Sequence, residues 1–211
     1  MPSVFHERLY RSAKVMEQIH TFPITLCGAG AVGANLAENL ARTGFAKLTV
    51  IDRDRIEERN LSTQPYYRSD IGAYKAMILA NSLYRALGVK IQPEVVELTA
   101  KNADKLLKGS QLVIDGFDNS VARAIVTEHC RAAQWPCLHV GLAADYAEII
   151  WNADYRVPST GQDEVCDYPL ARNLVLLTVA LASEVVIEFV TTGVQRSLTV
   201  TLQDLVVRAF I

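Results

Sequence analysis

Three glycines and an acid carry the first chemical signal in this sequence. Gly28-Ala-Gly30-Ala-Val-Gly33 follows an apolar run, Ile24 to Cys27, and leads into a helical pattern; a second apolar run, Leu48 to Ile51, closes at Asp52. Each glycine has its own task. Gly28 allows a tight turn, Gly30 lets a phosphate approach the backbone, and Gly33 lets the helix lie close to the strand. The helix N-terminus then offers free N–H groups and the positive end of its dipole to an anion. Asp52, about twenty residues past the glycines, is placed to accept hydrogen bonds from a ribose. Strand, glycine turn, helix, strand and acid together point to a nucleotide site, without choosing the nucleotide.

The other side chains with reactive potential are more scattered. Cys27, Cys130, Cys137 and Cys166 contain no CxxC pair, which argues against a zinc knuckle and against a disulfide framework. Cys27, in the strand before the glycine turn, reads as a small packed residue. Cys166 stands just before a long apolar segment, where a helix N-terminus would favour its thiolate. The four histidines, His6, His20, His129 and His139, have neither triad-like nor metal-ligand spacing and are read as structural.

The elements that must position these residues alternate. Residues 4 to 19 carry apolar positions at helical spacing with Arg8, Arg11 and Lys14 interleaved, an N-terminal helical arm (1–22) ahead of the domain (23–211). Strand Ile24 to Cys27 and helix Val32 to Thr43 follow, stopped by Gly44. The strand ending at Asp52 opens into a long charged stretch, DRDRIEERNLSTQPYYRSDIG, at the end of a strand where ligands bind in open parallel sheets. A helix capped by Ser69 or Asp70 runs through Lys75 to about Leu87 and stops at Gly88. Next come a strand from Lys90 to Val96, whose Pro93 suggests an edge or an irregular position, a short helix near Ala103 to Lys108, and the apolar run Gln111 to Ile114. Asp115-Gly-Phe-Asp118-Asn119 then precedes a helix from Val121 to Ala133, and Cys137 to Val140 reads as a buried strand. The alternation predicts an α/β, Rossmann-like, mainly parallel sheet with helices on both faces. Beyond Gly141 the pattern changes to antiparallel strands, Ala147 to Trp151 and Leu198 to Thr201. Between them lie a polar loop and a long apolar helix, Leu170 to Val190, buried in the core or against a second subunit.

Composition narrows the classes. The 211 residues suit one domain, half of them apolar, and a net charge of −2 implies no strong pull toward nucleic acid or an anionic membrane. The charged N-terminus lacks an apolar signal segment, so a cytoplasmic location is expected. Leu174 to Ile187 is shorter than a membrane span and includes Glu184, so a buried helix is expected and no membrane partner.

A set of segments in order goes further: Arg8-x-x-Arg11, the glycine loop, Asp52-Arg-Asp54 through Glu57, Asn60-Leu61, Gln64, Asp70-x-Gly72-x-x-Lys75, and Asp115-x-x-Asp118-Asn119. Together they resemble the ThiF/MoeB-like adenylating enzymes, whose adenylation domain is shared with ubiquitin-activating enzymes. The resemblance implies ATP and Mg²⁺, and a small ubiquitin-like or sulfur-carrier protein whose C-terminal glycine carboxylate is activated as an acyl-adenylate. It implies that Gly28, Gly30 and Gly33 cradle the nucleotide, that Asp52 takes the ribose, that Asn60 orients phosphate oxygens and that Lys75 brings a positive charge to them. Asp118 would hold Mg²⁺, a hard cation that prefers carboxylate oxygen, while Asn119 caps the next helix. Arg11 would reach a partner subunit's ATP site, implying a homodimer, with a heterodimer as the alternative. Cys166 lies where relatives place a thioester- or persulfide-forming cysteine.

Two departures accompany the resemblance. Thr63 stands where the family commonly has an arginine for the terminal phosphates, with Arg59 and Arg68 the nearby cations. The two CxxC pairs of many relatives are missing, so no zinc is expected. Two alternatives remain from the sequence: a catalytically silent subunit that completes another protein's site, supported by Thr63, and an NAD-dependent oxidoreductase, supported by the glycines alone.

Overall fold

The computed structural model describes residues 4–158, 169–203 and 207–209. Cys166 falls outside the described residues.

The expected arm is two helices, α1 (Phe5–Tyr10) and α2 (Ala13–Thr21). Ser12 separates them, extended in backbone, its side chain accepting from the Val15 N–H as the N-cap of α2. Met16 and Ile19 on α2 are buried in the main core, so this segment is part of the packed body.

The sheet then begins with β1 (Pro23–Cys27), α3 (Ala31–Thr43) and β2 (Lys47–Ile51). Gly44 ends α3 at φ 123°, a conformation open to glycine. After the crossover stretch come α4 (Lys75–Leu87), β3 (Gln92–Glu94), α5 (Ala103–Leu107), β4 (Leu112–Asp115), α6 (Ser120–Ala132) and β5 (Cys137–Ala143). β6 (Tyr146–Trp151), α7 (Arg172–Thr192), β7 (Leu198–Thr201) and β8 (Val207–Ala209) complete the chain. The sheet order is β3-β2-β1-β4-β5-β6-β7-β8, parallel through β5 and antiparallel beyond it. The expected Rossmann-like parallel sheet with an antiparallel extension is the observed fold.

Among the boundaries that differ from expectation, two have a local cause in the sequence. The helix expected from Ser69 or Asp70 starts only at Lys75. Gly72 lies at φ 90° and breaks the path, and Asp70 instead closes a separate turn over Arg68–Asp70 by accepting from the Tyr67 N–H. β3 is only Gln92–Glu94, and it is the sheet edge that Pro93 requires.

α7 is long and apolar enough to cross a membrane by length and composition, yet half of its most apolar stretch is buried inside this fold. Leu174, Val175, Val179, Ala182, Val185 and Val186 face inward, and Ser183 accepts from Asn39 of α3. Leu176 and Ala180 remain exposed, so the helix is covered on one side only.

Candidate functional site

β1 is flanked by β2 on one side and β4 on the other, so the chain leaves in opposite directions from adjacent strands. The register aligns Cys27 with Ile51 and with Asp115, which brings three strand ends to one edge: Gly28 after β1, Asp52 after β2 and the Gly116–Asp118 turn after β4. A crevice at such a reversal is where open α/β sheets bind ligands.

The glycine loop is built by close approach. Gly28 adopts φ 99°, and a Cβ on it would meet Gly116 O at 3.1 Å. A Cβ on Gly33 would lie 2.0 Å from Gly28 O, so only glycine lets α3 sit this close. At Gly30, by contrast, a Cβ would meet nothing within 4 Å, and this N-cap of α3 supplies no side-chain cap. The first N–H groups of α3 thus face an open cradle, the arrangement that takes a phosphate.

Asp52 fastens this loop. One carboxylate oxygen accepts from Ala29 N–H at 2.6 Å and the other from Asp54 N–H at 2.7 Å. Burial pushes the Asp52 carboxyl above its ordinary range, opposed by the Ala29 hydrogen bond, by nearby Lys75 and by the Asp54 N–H. Each oxygen has a second lone pair, so the same carboxylate retains capacity for a ribose hydroxyl.

The crossover stretch after Asp52 is closed at its base. Lys75 N–H donates to Asp54 O, Ile56 N–H to Ala73 O and Gly72 N–H to Ile56 O, which plants Lys75 at the start of α4. Lys75 is buried, and its Nζ lies 3.2 Å from Asp54 Oδ2, a carboxylate that is largely exposed. Tyr66, which sequence reasoning passed over, returns the middle of the stretch to the glycine loop. Its hydroxyl donates to Ala29 O at 2.8 Å, with Lys75 O at 3.4 Å. Asn60 Oδ1 accepts from Glu57 N–H at 2.9 Å and so closes a short turn. Gln64 Oε1 is buried without a partner among the described residues and lines a cavity of about 440 Å³ with Glu38, Tyr66 and Arg172.

Thr63 is buried, its carbonyl accepting from Asn35 Nδ2 at 2.8 Å, and brings no charge. Arg59 lies 2.7 Å from Glu57 and Arg68 3.0 Å from Glu58. Asp118 is exposed just past β4, and Asn119 caps α6 by accepting from Ala122 N–H at 2.8 Å, as expected. Among the described residues no group of three or more His, Cys, Asp or Glu side chains gathers as a metal cage. One exposed carboxylate beside phosphate oxygens is nevertheless a sufficient protein contribution for Mg²⁺.

Arg11 is held within its own chain, by Glu7 at 2.7 Å and by Glu184 of α7 at 2.5 Å. Cys27 is packed, as expected, and burial pushes its thiol and that of Cys137 well up, out of the reactive range.

Residues 6–162 match the ThiF family. The chain belongs to that family. Among ThiF relatives, a SUMO-activating enzyme subunit 2 of Dictyostelium discoideum is 31% identical over 142 residues, covering 63% of this chain and 21% of that protein. A sulfur carrier protein ThiS adenylyltransferase of Bacillus subtilis is 31% identical over 126 residues, 57% of this chain and 37% of that protein. The chain therefore spans well under half the length of these relatives. Among solved ThiF-like folds, E. coli MccB with ATP superposes with a TM-score of 0.77 at 16% identity, covering 93% of this chain and 65% of that one. TcdA (CsdL) gives 0.79 at 18% identity, covering 91% and 95%. These similarities do not favour the oxidoreductase alternative, and relatives named as adenylyltransferases support an enzyme of this kind.

Proposed function

We propose that this ThiF-family chain uses ATP and Mg²⁺ to adenylate the C-terminal carboxylate of a small ubiquitin-like or sulfur-carrier protein. The observation that supports the reading is that the uncapped α3 N-terminus, Asp52 and the turn bearing exposed Asp118 follow three adjacent strand ends, with buried Lys75 close enough to act on Asp52. The reaction joins a carboxylate to the α-phosphorus of ATP and releases pyrophosphate, so the protein must hold two anions together and neutralise charge on the departing group.

In this reading the N–H groups of α3 bind phosphate oxygens and Asp52 accepts from the ribose. Lys75 exchanges Asp54, an exposed partner, for a phosphate oxygen. Asp118 would hold Mg²⁺, which supplies charge stabilisation on the phosphates. Asn60, anchored by Glu57, would orient a phosphate oxygen through its remaining amide N–H groups. Arg11 would act across a homodimer after leaving Glu184, an exchange between carboxylate and phosphate partners.

The test is carrier-dependent exchange of pyrophosphate into ATP. Asp118→Ala should abolish exchange with the fold intact, and unchanged exchange would remove Asp118 from the mechanism. Cys166→Ala should retain adenylation while losing any covalent transfer to the carrier; if the wild type forms no conjugate, Cys166 has no covalent role. A second reading, a subunit that completes a partner's site, rests on one observation: Thr63 is uncharged and buried where the family commonly has an arginine. Calorimetry with Mg-ATP separates the two, since a silent subunit binds none without its partner.

A further inference from the structure

Behind the crevice lies a fully buried polar cluster that the adenylation reading does not use. Asp115 and His139 are register partners on β4 and β5, and both side chains have no solvent exposure. Asp115 Oδ2 is 2.8 Å from His139 Nδ1 and 3.7 Å from Arg123 Nη1, while Asp115 Oδ1 accepts from Phe117 N–H at 3.1 Å. That last bond ends in the turn that bears Asp118. The imidazole is fixed on its other edge, with Nε2 2.9 Å from Asn152 Oδ1, and on its face, stacked on Tyr155 at 3.8 Å between centroids. Tyr155 is itself held, its hydroxyl accepting from Arg123 and its carbonyl from Arg131. A carboxylate pinned on one oxygen by a clamped ring cannot swing away from the Phe117 N–H it serves with the other.

We propose that His139 is a positioning residue: through Asp115 it sets the Phe117–Asp118 turn, and with it the carboxylate offered to Mg²⁺. The link to Mg²⁺ rests on the adenylation reading; the mechanical link from His139 to the turn does not. Stability alone does not require this polar cluster, since well-packed apolar residues in place of a buried, paired polar group are often at least as stable.

Two amide substitutions separate the ring's two bonds. His139→Asn carries its amide near the Nδ1 position and keeps a donor toward Asp115; His139→Gln carries it near the Nε2 position and reaches Asn152 instead. Amide hydrogen exchange of residues 116–119 should stay near wild type in His139→Asn and rise about tenfold in His139→Gln, with β1 and β2 unchanged in both. In calorimetric Mg-ATP binding, half-saturation in Mg²⁺ should likewise rise about tenfold for His139→Gln only. Thermal melting is the control, because Asn leaves the larger cavity and should be the less stable of the two. Equal behaviour of the two variants in both measurements, or turn exchange that follows melting temperature, overturns the proposal. A wild-type protein that binds no Mg-ATP overturns the adenylation reading alone, and the exchange data still decide the role of His139.

Discussion

Gly33→Ala is the sharpest probe of how the site is built. The added methyl would stand 2.0 Å from Gly28 O and 2.8 Å from Gly28 C, and both are backbone atoms. Contacts under 3.0 Å are essentially never made by a real Cβ, so α3 and the loop must part by roughly 1 Å. Neither side yields easily. Gly28 N–H is tied to Ile51 O at 2.8 Å, and the far side of Gly28 already rests against Gly116. On the helix side, Leu36 and Leu40 are wholly buried. The overpacking cost therefore lies near the upper end of the usual range, about 3 kcal/mol. Replacing glycine by alanine inside a helix returns about 1 kcal/mol. The net loss of about 2 kcal/mol corresponds to a melting temperature lowered by about 4–8 °C in a domain of this size. Mg-ATP affinity should also fall at least tenfold, because the N–H groups of the first turn move with the helix.

Gly30→Ala is the matched control. Its Cβ meets nothing within 4 Å and its φ of −84° suits any residue, so it costs only the modest N-cap preference of glycine over alanine, about 0.5–1 kcal/mol. Its methyl stands in the open cradle, however, and should weaken Mg-ATP binding as much as Gly33→Ala does. Thermal melts with calorimetry on both variants decide the matter. If Gly33→Ala melts no lower than Gly30→Ala, the close approach is not what the loop geometry implies. If Gly30→Ala binds Mg-ATP like the wild type, the cradle is not where the phosphates lie.

Further outcomes follow from other parts of the structure. Lys75→Met, which keeps the volume of a buried side chain whose ion pair is with the exposed Asp54 carboxylate, should change stability by about 1 kcal/mol or less yet cut Mg-ATP affinity at least tenfold, as melting and calorimetry would read. Asp115 is buried, which by itself would raise its carboxyl, but Arg123, the His139 hydrogen bond and charge, and the Phe117 N–H outweigh burial and hold it below the usual 3.8. A depressed folded-state value contributes stability that is present above the unfolded value and lost as pH falls through the folded one. Wild-type protein should therefore lose stability in the range below about pH 4, and Asp115→Asn should show a flatter loss there in acid melts. If Arg11 acts across a homodimer, mixing Arg11→Ala with Asp118→Ala, each inactive alone, should restore roughly a quarter of wild-type exchange, because half of the dimers are mixed and each has one complete site. Absence of recovery after mixing removes Arg11 from the partner's site.

The local signals were legible wherever one residue type answers one backbone need. Gly44, Gly88 and Gly193 end α3, α4 and α7 at positive φ, and Asn119 caps α6. Pro93 pointed to an edge or irregular position because proline cannot donate to a ladder, and β3 is the edge. The start of α4 was misplaced because Asp70 has the chemistry of an N-cap but uses it to close a separate turn, and Gly72 then redirects the chain. The two helices at the N-terminus share one periodic pattern, so their separation at Ser12 was invisible to periodicity.

The sequence by itself determined the glycine loop with its acid, and the family. Gly28, Gly30, Gly33 and Asp52 lie within one strand-helix-strand unit, where spacing along the chain fixes distance in space. Only the tertiary structure decided what stands behind that cradle. Tyr66 meets Ala29 from 37 residues away, and Asp115, Arg123, His139, Asn152 and Tyr155 meet only because parallel pairing sets β4 against β5 and the chain then folds back beside them. No spacing rule links residues on different strands, since the register between them is fixed by the whole sheet. His139 therefore read as an isolated structural histidine until the strands were paired.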